Sequence, residues 1–82
     1  MGKLVISRII IDRISIEGDT AVITVSYVGY VKNKRIEGNY LLPIQKNQLI
    51  NMDNRDLKDL LIKETEKILK IKSIEGTEVA TT

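Results

Sequence analysis

The chain has 82 residues, a formal net charge of +2 at pH 7, and neither cysteine nor histidine. This length predicts one domain, close to the size at which a single hydrophobic core is only just sufficient. Without thiol or imidazole groups, the composition excludes disulfides, Cys/His nucleophile pairs, the Ser-His-Asp triad and zinc sites that need these ligands. The small net charge does not by itself indicate nucleic acid or an anionic membrane as partner.

The first predicted element is a strand that contains the stretch SRIIIDRISIE, residues 7–17. A strand with one exposed face alternates apolar and polar residues, whereas this one contains three consecutive isoleucines. Asp12 does not fit the apolar face that simple alternation assigns to it, and a bulge near Asp12 is the alternative. Alternation assigns Ile10, Ile14 and Ile16 to the core face and Ile9 and Ile11 to the outer face.

Two turns divide the first half into three strands. Gly18-Asp19 is suited to a two-residue hairpin loop because glycine tolerates a positive φ, and we place the second loop at Asn33-Lys34. In this register Gly29 lies opposite Gly38, where the sheet can bend or another group can approach closely, and a bulge there is an equal alternative.

The second half changes to helical spacing. A helix is predicted from about Asn54 to Lys72, with Asp53 or Asn54 as its N-cap. The apolar stripe of this helix is formed by Leu57, Leu60, Leu61, Thr65, Ile68 and Ile71. The predicted fold class is therefore α+β: a three-stranded antiparallel β-meander followed by one C-terminal α-helix packed on one sheet face.

Residues 1–74 form the predicted domain, and the terminal stretch EGTEVATT, residues 75–82, is expected to be a flexible C-terminal tail. No apolar segment approaches the length that a transmembrane helix needs. The opening MGKLVISR lacks the apolar core of a signal peptide, so we expect a cytoplasmic location and no membrane partner.

No arrangement of residues indicates catalysis, a cofactor or a metal. Asp53, Asp56 and Asp59 lack the alternating ligands and central glycine of a calcium loop, and helix capping explains them better. A basic group provides a second hypothesis, a nucleic-acid-binding β-sheet, although a charged turn that keeps the hairpin tip solvated explains these residues better. Its members are Arg13 on the first strand and Lys32, Lys34 and Arg35 at the second hairpin.

The leading functional prediction concerns the sheet face that the helix leaves uncovered. Clustered bulky apolar residues on a small protein indicate an interaction surface, and a long first strand at a sheet edge favours pairing with another strand. We therefore expect a non-enzymatic interaction protein that self-associates, as a homodimer, through the outer sheet face or the first strand. The size and the Ile/Lys bias are compatible with a viral or mobile-element accessory protein. The predicted interface consists of Ile9, Ile11, Val28, Tyr30 and Leu41.

Overall fold

The computed structural model describes residues 4–70 and 77–81 of the chain. Three long antiparallel strands come first and two helices follow, so the α+β class and the order strand-strand-strand-helix are confirmed. A fourth strand completes a sheet with the order β3-β2-β1-β4. The elements are β1 (Leu4–Glu17), β2 (Thr20–Val31), β3 (Lys34–Gln45), α1 (Lys46–Ile50), α2 (Asn54–Leu69) and β4 (Glu78–Thr81).

The first hairpin turns at Gly18-Asp19 as predicted, and Gly18 has a φ of 62°. The second loop is Lys32-Asn33, where both residues have positive φ, and not Asn33-Lys34. This shift moves β3 by two residues along β2. It therefore preserves which residues share a face, because side chains alternate with period two. The expected Gly29–Gly38 pair is wrong, since Gly29 lies opposite Ile36 and Gly38 opposite Tyr27.

Two β-bulges in β1 determine which isoleucines enter the core. The register against β2 shifts between Ile6 and Arg8 and again between Ile11 and Arg13, so Ser7 and Asp12 are the extra residues. Each is bound to β2 by its side chain: Ser7 Oγ donates to the Val28 carbonyl at 3.2 Å, and Ser26 Oγ donates to the Asp12 carboxylate. Each bulge reverses the alternation that follows it.

The bulges overturn the predicted orientation of the triple isoleucine. Ile9 and Ile11 are 0% and 6% exposed and pack in the core, so their assignment to the outer face is wrong. Ile10 lies opposite Ser26 on the other face. With both bulges present, the core-face residues of β1 are Leu4, Ile6, Ile9, Ile11, Ile14 and Ile16.

Helix α2 covers this face of the sheet through Leu61, which is fully buried in the core cluster. Asp53 caps the helix, because its Oδ1 accepts the Asp56 N–H at 2.8 Å. The helix ends at Leu69, where Lys70 adopts a left-handed conformation, so it is shorter than predicted. Ile71 and Lys72 lie outside the described residues. Within residues 4–70 and 77–81, no helix has the length and apolar character required to cross a membrane.

A tyrosine from the sheet binds the helix by a polar contact inside the core. Tyr40 Oη lies 2.8 Å from Thr65 Oγ1, and Thr65 donates its own proton to the Leu61 carbonyl at 2.8 Å. Tyr40 Oη also lies 3.4 Å from the Leu61 carbonyl oxygen, so the two hydroxyls and this carbonyl form one hydrogen-bonded group, in which the fully buried Thr65 hydroxyl is satisfied.

The structure of the C-terminal residues differs from two expectations, the frayed tail and the uncovered edge of β1. Residues 78–81 form β4 and not a frayed tail, and β4 pairs in parallel with β1 from Arg8 to Ile11. Thr77, which is buried, donates its hydroxyl to the Ile6 carbonyl at 2.8 Å. The outer edge of β1 is therefore covered in its middle, although the sequence predicted an uncovered edge.

Both strand glycines permit a close approach, and their replacement by alanine should destabilise the fold to different degrees. A Cβ at Gly29 would lie 2.6 Å from the Val5 carbonyl oxygen, a backbone atom, whereas a Cβ at Gly38 would meet the Tyr27 side chain. Gly29→Ala should therefore cost about 1–3 kcal/mol of unfolding free energy. Gly38→Ala should cost less, because the Tyr27 ring can move. Urea unfolding of both variants measures the difference, and an equal or larger loss for Gly38→Ala would contradict this packing.

Stability at alkaline pH should depend on Tyr40. Burial raises the pKa of the Tyr40 phenol, the Thr65 hydrogen bond opposes the rise, and the Glu64 carboxylate adds to it. Because the folded pKa exceeds the unfolded one, this stabilisation is complete below about pH 10 and is lost as the pH rises through the folded pKa. Unfolding measured from pH 8 to 12 should show a steeper loss for the native chain than for Tyr40→Phe. An equal loss of unfolding free energy with pH in both chains would contradict the assignment of this loss to Tyr40.

Candidate interaction site

The outer sheet face presents alternating charged and apolar side chains. At one end Val5, Tyr30 and Arg35 form a row across β1, β2 and β3. The next row contains two ion pairs at its margins: Arg8 lies 3.6 Å from Glu78, and Arg35 reaches Glu37 at 3.4 Å. All four of these charged residues are exposed, so the two pairs add little stability.

The predicted apolar patch is not contiguous. Ile9 and Ile11 belong to the core, which leaves Val28, Tyr30 and Leu41 on the outer face. Leu41 lies opposite Thr24, six residues along β2 from Tyr30, a separation of roughly 20 Å. The surface between them contains a shallow depression of about 400 Å³, and its lining includes the polar residues Asp12, Ser26, Glu37 and Asn39.

The four basic residues predicted to bind nucleic acid also lie at two separate places on the sheet. Lys32, Lys34 and Arg35 lie at the second hairpin, whereas Arg13 lies opposite Thr24 near the other end of the sheet. Arg35 is paired with Glu37. A surface that follows a phosphate backbone needs a continuous basic stripe, and the structure does not bring these four residues together.

The aspartates at the start of α2 act within the helix. Asp53 is the N-cap and Asp56 lies in the first turn. Among the residues that the structure describes, no group of three or more acidic, cysteine or histidine side chains is arranged to hold a metal ion. Capping and the helix dipole account for Asp53 and Asp56.

The distal part of β1 combines an uncovered backbone edge with exposed apolar side chains. β4 pairs with β1 only as far as Ile11, and within residues 4–70 and 77–81 no strand lies beside the stretch from Arg13 to Glu17 on its second side. Ile14 and Ile16 in this stretch are 40% and 50% exposed. Long uncovered edges with apolar side chains are typical sites of strand addition. We call residues 13–17 the distal edge.

The backbone polarity of the distal edge follows from the first hairpin. In a two-residue loop Glu17 and Thr20 are the hydrogen-bonded pair that closes the turn, and hydrogen-bonded pairs alternate along an antiparallel ladder. Ser15 and Arg13 therefore direct their N–H and C=O groups toward β2. The corresponding groups of Ile14 and Ile16 point outward, away from β2.

The two isoleucines are exposed because the helices lie elsewhere on the face. The start of α1 is bound to the first hairpin loop by the Lys46 N–H, which donates to the Asp19 carbonyl at 2.8 Å, and α1 contacts β2 and β3. In the neighbouring strand β2, Ile23 is fully buried although its partner Ile14 is not. Sequence reasoning assigned Ile14 and Ile16 to the covered face and missed their exposure, because the periodicity of a strand does not show which part of its face a helix covers.

The chain was also compared with protein-family models, with curated proteins and with solved structures, and it matches none of them.

Proposed function

We propose that this protein is a small interaction module that self-associates, as a homodimer, by adding the distal edge of one copy to that of another. The observation that carries the proposal is that a strand edge beside which no other described strand lies coincides with the exposed Ile14 and Ile16 on one face. Pairing there would satisfy outward backbone groups and bury apolar surface in the same step.

The distal edge supports self-association better than the outer sheet face does. The outer face interleaves its apolar residues with charged ones such as Arg8 and Glu37, and burial of such groups without new partners is unfavourable. The distal edge has Ile14 and Ile16 side by side on its core face, and its two charged side chains, Arg13 and Glu17, have opposite sign and lie at the ends of the stretch on the other face. In an isologous dimer both copies use the same surface, so the distal edge alone is sufficient to form the interface.

The magnitude of the gain favours a reversible dimer. Full burial of an isoleucine contributes about 1.5–3 kcal/mol, and these two side chains are already half covered. Loss of translational and rotational freedom opposes association by roughly 4–15 kcal/mol. We therefore expect an equilibrium between monomer and dimer that depends on protein concentration.

Replacement of Ile16 by lysine should shift this equilibrium to the monomer. An inserted charge is one of the devices by which natural proteins block sheet edges, and Ile16 is exposed enough for the monomer to tolerate the change. Light scattering on size-exclusion peaks over a range of concentrations should show a dimer for the native chain and a monomer for Ile16→Lys. Circular dichroism checks that the fold is retained.

Leu41→Lys is the matched control. Leu41 is 65% exposed on the outer face of β3, two strands away from the distal edge and on the face opposite Ile14 and Ile16, so its replacement should leave the dimer unchanged. A dimer weakened by Leu41→Lys and not by Ile16→Lys would identify the outer face as the interface. A native chain that remains strictly monomeric at the highest attainable concentration would overturn self-association altogether.

A further inference from the structure

We infer that the dimer has one specific register: the distal edges pair antiparallel about a two-fold axis at Ser15. This inference rests on the proposed function and adds the geometry of the partner. In this register Ser15 lies opposite Ser15 of the second copy, and Ile14 lies opposite Ile16 of the second copy. Arg13 then lies opposite Glu17 of the second copy, and each of the last two pairs occurs twice.

The residue pattern of the distal edge is self-complementary under this symmetry. Directly opposed residues of antiparallel strands share a sheet face. The isoleucine pairs therefore form one apolar cluster on the core face, while the Arg13–Glu17 pairs flank Ser15 on the outer face. Within the described residues neither Arg13 nor Glu17 has an ion-pair partner in its own chain. Each would gain one from the second copy.

The backbone is compatible with this register. The outward N–H and C=O groups belong to Ile14 and Ile16, which are opposed to each other across the axis, so both isoleucine pairs become hydrogen-bonded pairs. Ser15 becomes a pair without hydrogen bonds, at which opposed Cα atoms lie about 4.5 Å apart. The five paired residues stop short of Ile11, where β4 already occupies the edge.

Neighbouring registers fit less well. A shift of the axis to Ile14 places Glu17 opposite Ile11 of the second copy, whose edge β4 covers. A shift to Ile16 places Arg13 opposite Asp19 of the second copy, which lies in the hairpin loop. A shift by a single residue in the pairing would oppose side chains of different faces and separate the isoleucines. Only the axis at Ser15 pairs both charges and both isoleucines.

Charge reversal tests the register without altering the core. Arg13→Glu and Glu17→Arg each convert two attractive pairs into two repulsive ones, and either variant alone should weaken the homodimer about tenfold or more, given typical cross-strand pair energies. A mixture of the two variants should form the heterodimer, in which both pairs are attractive again. The double variant Arg13→Glu/Glu17→Arg should regain native association.

Cross-linking by a single cysteine locates the axis, because the native chain contains no cysteine. Opposed residues at about 4.5 Å between Cα atoms lie within disulfide range. Under mild oxidation Ser15→Cys should therefore form disulfide-linked dimers, and Arg13→Cys and Glu17→Cys should not, because each lies opposite a different residue.

The outcomes separate the register from the function on which it rests. A native dimer with no cross-linking at Ser15→Cys, or with unchanged association of Arg13→Glu, would overturn the register and leave self-association intact. A monomeric native chain would overturn both. Retained circular dichroism and urea unfolding of each variant exclude a loss of fold as the cause of a lost dimer.

Discussion

The two bulges of β1 are the constraint on which the rest of the structure depends. Core-face residues follow one another at intervals of two, three, two, three and two from Leu4 to Ile16, and each interval of three contains one bulge residue. Without the bulges, Ile9 and Ile11 would point away from α2. The hydrogen bonds of Ser7 and Asp12 to β2 fix the extra residues, so the register and the core are determined together.

The sequence predicted the architecture through features that act locally. Gly18 indicated the first turn because a positive φ is needed there, and Asp53 indicated the helix start because its carboxylate reaches a backbone N–H. The register of β1 depends on two bulges, and the irregular spacing of its isoleucines is the sequence pattern that indicates them. The prediction assumed strict alternation and therefore did not include the bulges. β4 is short and pairs with residues about seventy positions earlier, so local patterns contain little information about it.

The candidate site was anticipated in part. The first strand was named as one of two surfaces for self-association, but the named interface residues Ile9 and Ile11 proved to be core residues. Ile14 and Ile16 were assigned to the correct face, and their exposure depends on where α1 and α2 lie. Which part of a sheet face a helix covers is determined by tertiary packing, and the periodicity of a strand does not contain it.

The pairing of β4 with β1 has a consequence for the order in which the chain is made. β1 leaves the ribosome before the other elements, whereas residues 78–81 follow after all of them. Until they emerge, a nascent chain that has folded its three-stranded meander exposes the edge of β1 from Arg8 onward, including the part that β4 later covers. Nascent chains on neighbouring ribosomes of one messenger RNA would therefore expose a longer strand edge to pairing with each other than completed molecules do.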